Sequence, residues 1–390
     1  MSKPRALFVA ATKQHIGKTS SCVGLMGGLQ ERFSKVGYIK PVGQQHVPVE
    51  GKDGATIRVD KDVRLFKEFF GLNHIDYSDM SPLLVPSGYT KQFLDGHVCT
   101  DAQINDIHKC FQQVVSQSDF TILEGTGHCG VGSIIEMDNA RVASLLGVDM
   151  VLVCNAGIGS SFDELELNRL LCQKYGVNLK GVILNRVQED KYTETKKYFE
   201  KALSRWGVPL VGCIPYNAYL QVPCMMDYEN LFKAHLSAGG EMRMRHFDKQ
   251  ILMATSLSRF MNLLQLPEYS NTLWVTHSSR HELVLALVEH VRKCEAEGTK
   301  WRGGLILAGT ELDEDGRPRA ACEQENADDA LVREALSNSS IPVLYIKHGV
   351  THALAKINKY TAKLNADDQK RTRAALEHVQ PCLDFDRLLA

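Results

Sequence analysis

"LFVAATKQHIGKTSS", residues 7–21, decides the fold. An apolar run at residues 6–10, "ALFVA", has the length and polar bounds of a buried parallel strand. After a short loop comes Gly17-Lys18-Thr19, and from there Cys22, Leu25, Met26, Leu29 and Phe33 recur at helical spacing. That periodicity predicts an amphipathic helix from residue 18 to about residue 34. Strand, loop and helix with G-K-T at the junction is the arrangement of a phosphate-binding loop. An anion there meets unpaired backbone N–H groups and the positive end of the helix dipole. Lys18 would reach the terminal phosphates and the Thr19 hydroxyl would ligate magnesium. The candidate nucleotide-binding residues are Thr12, Lys13, Gln14, His15, Ile16, Gly17, Lys18, Thr19 and Ser20. One position breaks the pattern G-x-x-x-x-G-K-[ST]: Thr12 stands where its first glycine belongs.

Outward from the loop, buried-strand runs alternate with helical periodicity. "GYIKPV" (37–42) is followed by a polar loop and the helical "DKDVRLFKEFFGL" (60–72). "FTILE" (120–124) ends on an acid and leads into "GTGHCGVG". "DMVLVC" precedes a helix over about 162–175, "GVILNRV" one over 191–205, and "VPLVGCIP" closes the series. The alternation predicts an α/β fold of P-loop type, a doubly wound and mostly parallel sheet, ending near residue 219. A second, smaller α/β set fills 220–390. Its strands are "TLWVT", "GGLILA" and "IPVLYI", its helices near 280–295, 328–337 and 350–363, and the acidic stretch 311–330 reads as a solvated loop leading into a helix.

The loop resembles that of dethiobiotin synthetase and its relatives, G-T-x-T-x-x-G-K-T, in which a threonine follows the first glycine. Thr12 matches that threonine and Ala11 takes the glycine's place, which narrows backbone freedom without abolishing binding. The resemblance continues. "GYIKPVG" is similar to the family's second strand, whose lysine contacts substrate and transferred phosphate, which implies that role for Lys40. "ILEGTGH" resembles its E-G-A-G segment and implies a magnesium-binding Glu124. "GVILNRV" resembles the strand whose asparagine reads the base, which falls on Asn185. The family's remaining magnesium ligand, an aspartate, falls on Asp62, with Asp60 the alternative.

The chemistry asks for a comparable set. Phosphoryl transfer from ATP needs Mg2+ on the β- and γ-phosphates, and that ion prefers hard oxygen ligands such as Thr19, Asp62 and Glu124. Lys18 and Lys40 are the candidate catalytic cations that offset charge on the transferred group. His15 and His128 lie in and beside the loop; such histidines serve either as acid–base groups or simply as hydrogen-bond partners of loop backbone.

Residues from about 220 resemble the DRTGG domain that follows a dethiobiotin-synthetase-like domain in the N-terminal half of large phosphotransacetylases. "LQVPCMMDYENL", "LWVTHSSRHELVLALVEH", "GGLILAGTE" and "IPVLYIKHGVTHALAKI" carry the likeness, as do "DKDVRLFKEFFGL" and "SPLLVPSGYTKQFLDG" in the first domain. The signature itself departs: Ser279-Arg280 replaces Asp-Arg, and Ala308-Gly309-Thr310 replaces Thr-Gly-Gly. No stretch resembles the acetyl-transferring domain, so acetyl phosphate chemistry is not expected. Two function classes follow: an ATP-dependent ligase or ATPase acting on a small carboxylate or amine, and a nucleotide-binding regulatory protein without turnover. The resemblance also implies a homo-oligomer paired through the first domain.

Bulk properties exclude other classes. The 390 residues suffice for two domains, and 44% hydrophobic with 23% charged residues is a globular composition. A net charge of -1 supplies no field for nucleic acid or an anionic membrane. No apolar run approaches the roughly 20 residues that span a bilayer. The strand-like run begins within a few residues of Met1, leaving no room for a signal or transit peptide. The 11 cysteines show no C-x-x-C pair and read as reduced, packing residues of a cytoplasmic protein.

Overall fold

The structure, a computed structural model, describes residues 4–311 and 327–390; residues 312–326, most of the stretch read as a solvated acidic loop, lie outside them. Two compact units emerge. The first opens with β1 (Ala6–Ala11), α1 (Lys18–Gln30) and β2 (Val36–Ile39). Next come β3 (Val42–Gly43), β4 (His46–Glu50), β5 (Thr56–Asp60) and α2 (Lys61–Phe70), followed by α3 (Tyr77–Met80), β6 (Leu83–Leu84), α4 (Tyr89–Leu94) and α5 (Thr100–Ser116). β7 (Phe120–His128), α6 (Asn139–Leu145), β8 (Asp149–Asn155), α7 (Ser160–Lys174), β9 (Leu179–Val187), α8 (Tyr192–Ser204) and β10 (Leu210–Pro215) complete the run. Six strands form one sheet in the order β10-β9-β8-β1-β7-β2. Every pairing in it is parallel. The central strands are buried on both faces, as continuous apolar runs require. The order reverses at β1, so the loops after β1 and β7 meet at the carboxyl edge of a topological switch point.

One segment read as a polar loop is a hairpin. β4 and β5 pair antiparallel from His46↔Asp60 to Glu50↔Thr56. Its strands alternate half-buried and exposed residues about a turn at Lys52–Gly54, and it delivers Asp60 to the start of α2.

The second unit, Gln221–Lys363, contains α9 (Met225–Phe232), β11 (Leu236–Ala238), β12 (Lys249–Leu252), α10 (Leu257–Leu264), β13 (Thr272–His277), α11 (His281–Ala296), β14 (Gly304–Ala308), α12 (Ala327–Ser337), β15 (Val343–Ile346) and α13 (Val350–Lys359). Its sheet runs β11-β15-β14-β13-β12, with only β11 antiparallel.

The domain boundary read from the sequence needs a correction at the far end. Leu364–Ala390 belongs to the first unit, carrying α14 (Gln369–Val379) and α15 (Phe385–Leu389). The same return corrects the reading of α1 as amphipathic. Ser21, Cys22, Val23, Gly24, Leu25, Met26, Gly28 and Leu29 are all buried, because the sheet covers one face and the returning segment the other. A Cβ on Gly24 would lie 2.4 Å from Val379, and one on Gly28 2.0 Å from Phe385, so close approach demands glycine there. α1 also stops at Gln30, where the Arg32 and Phe33 N–H groups both turn onto the Leu29 carbonyl. The described cysteines are free thiols, and no described helix is long and apolar enough to cross a membrane.

Candidate functional site

The loop between β1 and α1 is held open by its backbone. His15 and Gly17 adopt left-handed conformations, φ 62° and 88°. The Gly17 position is closed to other residues twice over, since a Cβ there would sit 2.1 Å from the Asn185 amide nitrogen. Asn185 Nδ2 donates to the Ile16 carbonyl at 2.7 Å, and its Oδ1 accepts from the Arg186 N–H at 2.9 Å. Asn185, expected to read a base, thus has both ends of its amide engaged with backbone and braces the loop. Thr12 donates its N–H to Val153 O while its own carbonyl accepts from Asn168. Lys13 pairs with Glu164, and Gln14 is exposed. The Gly17, Lys18, Thr19 and Ser20 amides donate to nothing among the described residues. They are the orphan donors of a helix N-terminus.

Beside those amides the structure gathers four of the residues singled out in the sequence. Glu124, on β7, is fully buried; its Oε1 accepts from the Thr19 hydroxyl at 2.8 Å and its Oε2 from the Tyr38 hydroxyl at 2.9 Å. Lys40, just past β2, ion-pairs with Asp62 and stands 3.5 Å from Glu124 and 3.6 Å from Asp60. Burial disfavours the Lys40 ammonium, but Asp62, Glu124 and Asp60 outweigh it and hold its pKa well above the usual lysine value. Burial likewise opposes ionisation of Asp62, and Lys40 with Lys61 overcomes that, keeping the carboxyl well below its usual range. Tyr38, which sequence reading missed, has its phenol pushed up by burial and by Glu124. Its signal was available: it sits two residues before Lys40 on the same strand face.

The two aspartates separate by geometry. Asp60 is the N-cap of α2, accepting from the Asp62 N–H with one oxygen and from the Gln44 and Gln45 N–H groups with the other. Asp62 faces the lysines. Lys18 differs from Lys40: its side chain has no hydrogen bond or ion pair among the described residues. Burial lowers its pKa, with Glu124 opposing. An ammonium that makes no hydrogen bond or ion pair among the described residues, next to orphan amides, has the chemistry to receive an anion. His128 accepts from the Gly130 N–H, a loop-backbone role.

The oxygen set of Thr19, Asp62 and Glu124 fits magnesium in kind, being one hydroxyl and two carboxylates converging around Lys40.

A family model described as an AAA domain (AAA_26) matches residues 5–223, and the chain belongs to that family. The phosphate acetyltransferase of Pseudomonas putida is 25% identical over 390 residues, covering 97% of this chain and 51% of that protein. The chain therefore spans about half the length of the curated phosphate acetyltransferases it matches. The ATP-dependent dethiobiotin synthetase BioD of Caldicellulosiruptor saccharolyticus is 24% identical over 239 residues, 59% of this chain and 93% of that one. Among solved structures, the MinC:MinD cell division protein complex of Aquifex aeolicus superposes with a TM-score of 0.33 and 16% identity, over 55% of this chain and 83% of that one. The first unit is thus a P-loop NTPase-type domain related to BioD and to the N-terminal half of phosphate acetyltransferase.

Proposed function

We propose that this member of the AAA domain family binds a magnesium nucleoside triphosphate, ATP by its relation to BioD, on residues 12–20, and uses it to activate a small carboxylate or amine. The observation that carries the reading is Lys18, an ammonium with no hydrogen bond or ion pair among the described residues, beside the orphan amides of α1 and the Thr19–Glu124 pair. Thr19, Asp62 and Glu124 would hold the metal, which when bound supplies positive charge to the phosphate oxygens. Lys18 and the amides of Gly17 to Ser20 orient the terminal phosphates. Lys40, fixed by its carboxylates at the end of β2, keeps a permanent positive charge where the transferred group meets its acceptor. Asn185 preserves the loop's shape rather than reading the base. The same reading pairs two copies of the chain through the first unit, where Leu167 and Leu170 on α7 are exposed at 69% and 48%.

MgATP should raise the melting temperature of the full chain, since it binds the folded state. Lys18→Ala should abolish that shift and leave the ligand-free melting temperature nearly unchanged, because the Lys18 ammonium makes no hydrogen bond or ion pair among the described residues. Wild-type protein that gives no calorimetric signal with millimolar MgATP or MgGTP would overturn the proposal.

A second reading, nucleotide binding that regulates without turnover, is favoured by one observation: Lys40 already satisfies three carboxylates. Phosphate release separates the two. A ligase accelerates when its acceptor is present and slows with Lys40→Ala. Release no faster than buffer across amine and carboxylate acceptors selects regulation.

A further inference from the structure

In the second unit, β13, β14 and β15 run parallel and adjacent, so their carboxyl ends open on one edge of the sheet. The helices that follow them diverge. Phe260 of α10, Leu283 and Val284 of α11 and Val332 of α12 pack on the face bearing Trp274, Leu305 and Val343. Tyr228 of α9 with Ala353 and Ile357 of α13 packs on the opposite face, bearing Val275, Ile306 and Leu344. α12, after β14, therefore packs on one face and α13, after β15, on the other. Between such strand ends an open α/β sheet forms a crevice suited to a ligand.

Among the described residues at these strand ends are a threonine, histidines and a lysine, with the Glu311 carboxylate next after Thr310 in the chain. The Gly309 N–H donates to the His348 carbonyl at 2.9 Å and the Thr310 N–H to the Ile346 carbonyl at 3.1 Å, which ties the two loops together. Gly309 lies against the His277 ring, so closely that a Cβ there would be 2.4 Å from Nε2. Lys356 Nζ stands 3.1 Å from His348 Nε2. An ammonium can only donate, so Nε2 accepts and the proton of the neutral ring resides on Nδ1. That Nδ1 is enclosed and has no hydrogen-bond partner among the described residues; the same is true of Thr310 Oγ1. Two enclosed donors thus sit on neighbouring strand ends with a lysine beside them and the His352 ring stacked 4.8 Å from His348.

We infer that this crevice binds an oxyanion group of a small metabolite, phosphate or carboxylate, which accepts from Thr310 Oγ1 and His348 Nδ1 while Lys356 balances its charge. The site is separate from the loop after β1 and assigns the second unit a ligand of its own. Two enclosed donors without partners on tied strand ends call for an acceptor, since buried polar groups are almost always hydrogen-bonded.

The test uses the full chain carrying Lys18→Ala, which silences anion binding at the first unit, titrated calorimetrically with sodium phosphate and, separately, sodium malonate. One or both should bind, and the tighter names the source chemistry. Thr310→Val and Lys356→Met should each weaken binding about tenfold, the loss of one good contact. Thr310→Ser, which keeps the hydroxyl, should restore it, and circular dichroism melts confirm that all variants fold. Absence of binding to both probes overturns the inference, as does binding indifferent to Thr310→Val and Lys356→Met.

Discussion

Replacing Lys40 with methionine keeps the apolar stem in place and deletes its charge from among three buried carboxylates. The cost is set by what each carboxylate retains. Asp60 keeps three backbone donors, from Gln44, Gln45 and Asp62. Asp62 keeps Lys61. Glu124, with no exposed surface, keeps the Thr19 and Tyr38 hydroxyls and the longer-range attraction of the Lys18 ammonium. One buried anion therefore loses the cation 3.5 Å from it, and breaking a buried pair costs about 3–5 kcal/mol. The surviving hydroxyl donors place the expectation at the lower end, about 3 kcal/mol, or a melting temperature lower by roughly 6–12 °C. Urea unfolding followed by circular dichroism reads the change as a shift in midpoint at constant slope. Lys40→Met/Glu124→Gln should recover part of the loss, since it removes the stranded charge as well. A single-variant loss below about 1 kcal/mol, within the range of an ordinary surface change, would refute this account of the cluster. So would a double variant no more stable than the single one.

Gly28→Ala places a methyl 2.0 Å from the Phe385 ring. It should cost about 1–3 kcal/mol by overpacking and raise amide exchange across 369–389 while leaving the second unit unchanged. Gly17→Ala combines a φ of 88° with a clash at Asn185. It should lower stability by about 1–2 kcal/mol and remove the MgATP-induced melting shift, as measured by differential scanning fluorimetry. Light scattering of the full chain should give twice the monomer mass or a higher even multiple; a monomer at every concentration tested would rule out pairing through α7.

The strands of the main sheet were legible because each is an apolar run too short for a helix and bounded by loop residues, as in "DMVLVC" and "GVILNRV". The loop was legible because its chemistry is local: the Gly17-Lys18-Thr19 spacing fixes where amides, ammonium and hydroxyl fall. The convergence of Lys40, Asp62 and Glu124 was available only through resemblance, since Lys40 is 22 residues from Asp62 and 84 (124 − 40) from Glu124, which it meets only once β2 and β7 pair. What escaped has identifiable causes. The β4–β5 hairpin was masked by its polar, exposed alternation, although "HVPVE" and "TIRVD" flank the turn sequence "GKDG". The packing of α14 on α1 was masked by distance along the chain. Its trace was the glycine pattern Gly24, Gly27 and Gly28, which an α1 open to solvent on one face would not need. The bracing role of Asn185 was not legible because a side chain that points to a base and one that braces a loop occupy the same strand end.

The return of Leu364–Ala390 makes the first unit discontinuous in sequence, with the whole of the second unit threaded between its two parts. During synthesis, β1, α1 and the rest of the parallel sheet leave the ribosome some 140 residues before the helix that seals them. Until then the outer face of α1, with Gly24, Gly27 and Gly28, remains wet. The anion-binding turn at the head of α1 is thus anchored on a helix whose burial is finished last. Competence to hold a ligand there becomes a late event in biogenesis, one that depends on contacts of very high sequence separation and therefore slow to form. A chain released early would carry every residue of the site while α1 is still unsealed, its outer face open to chaperones.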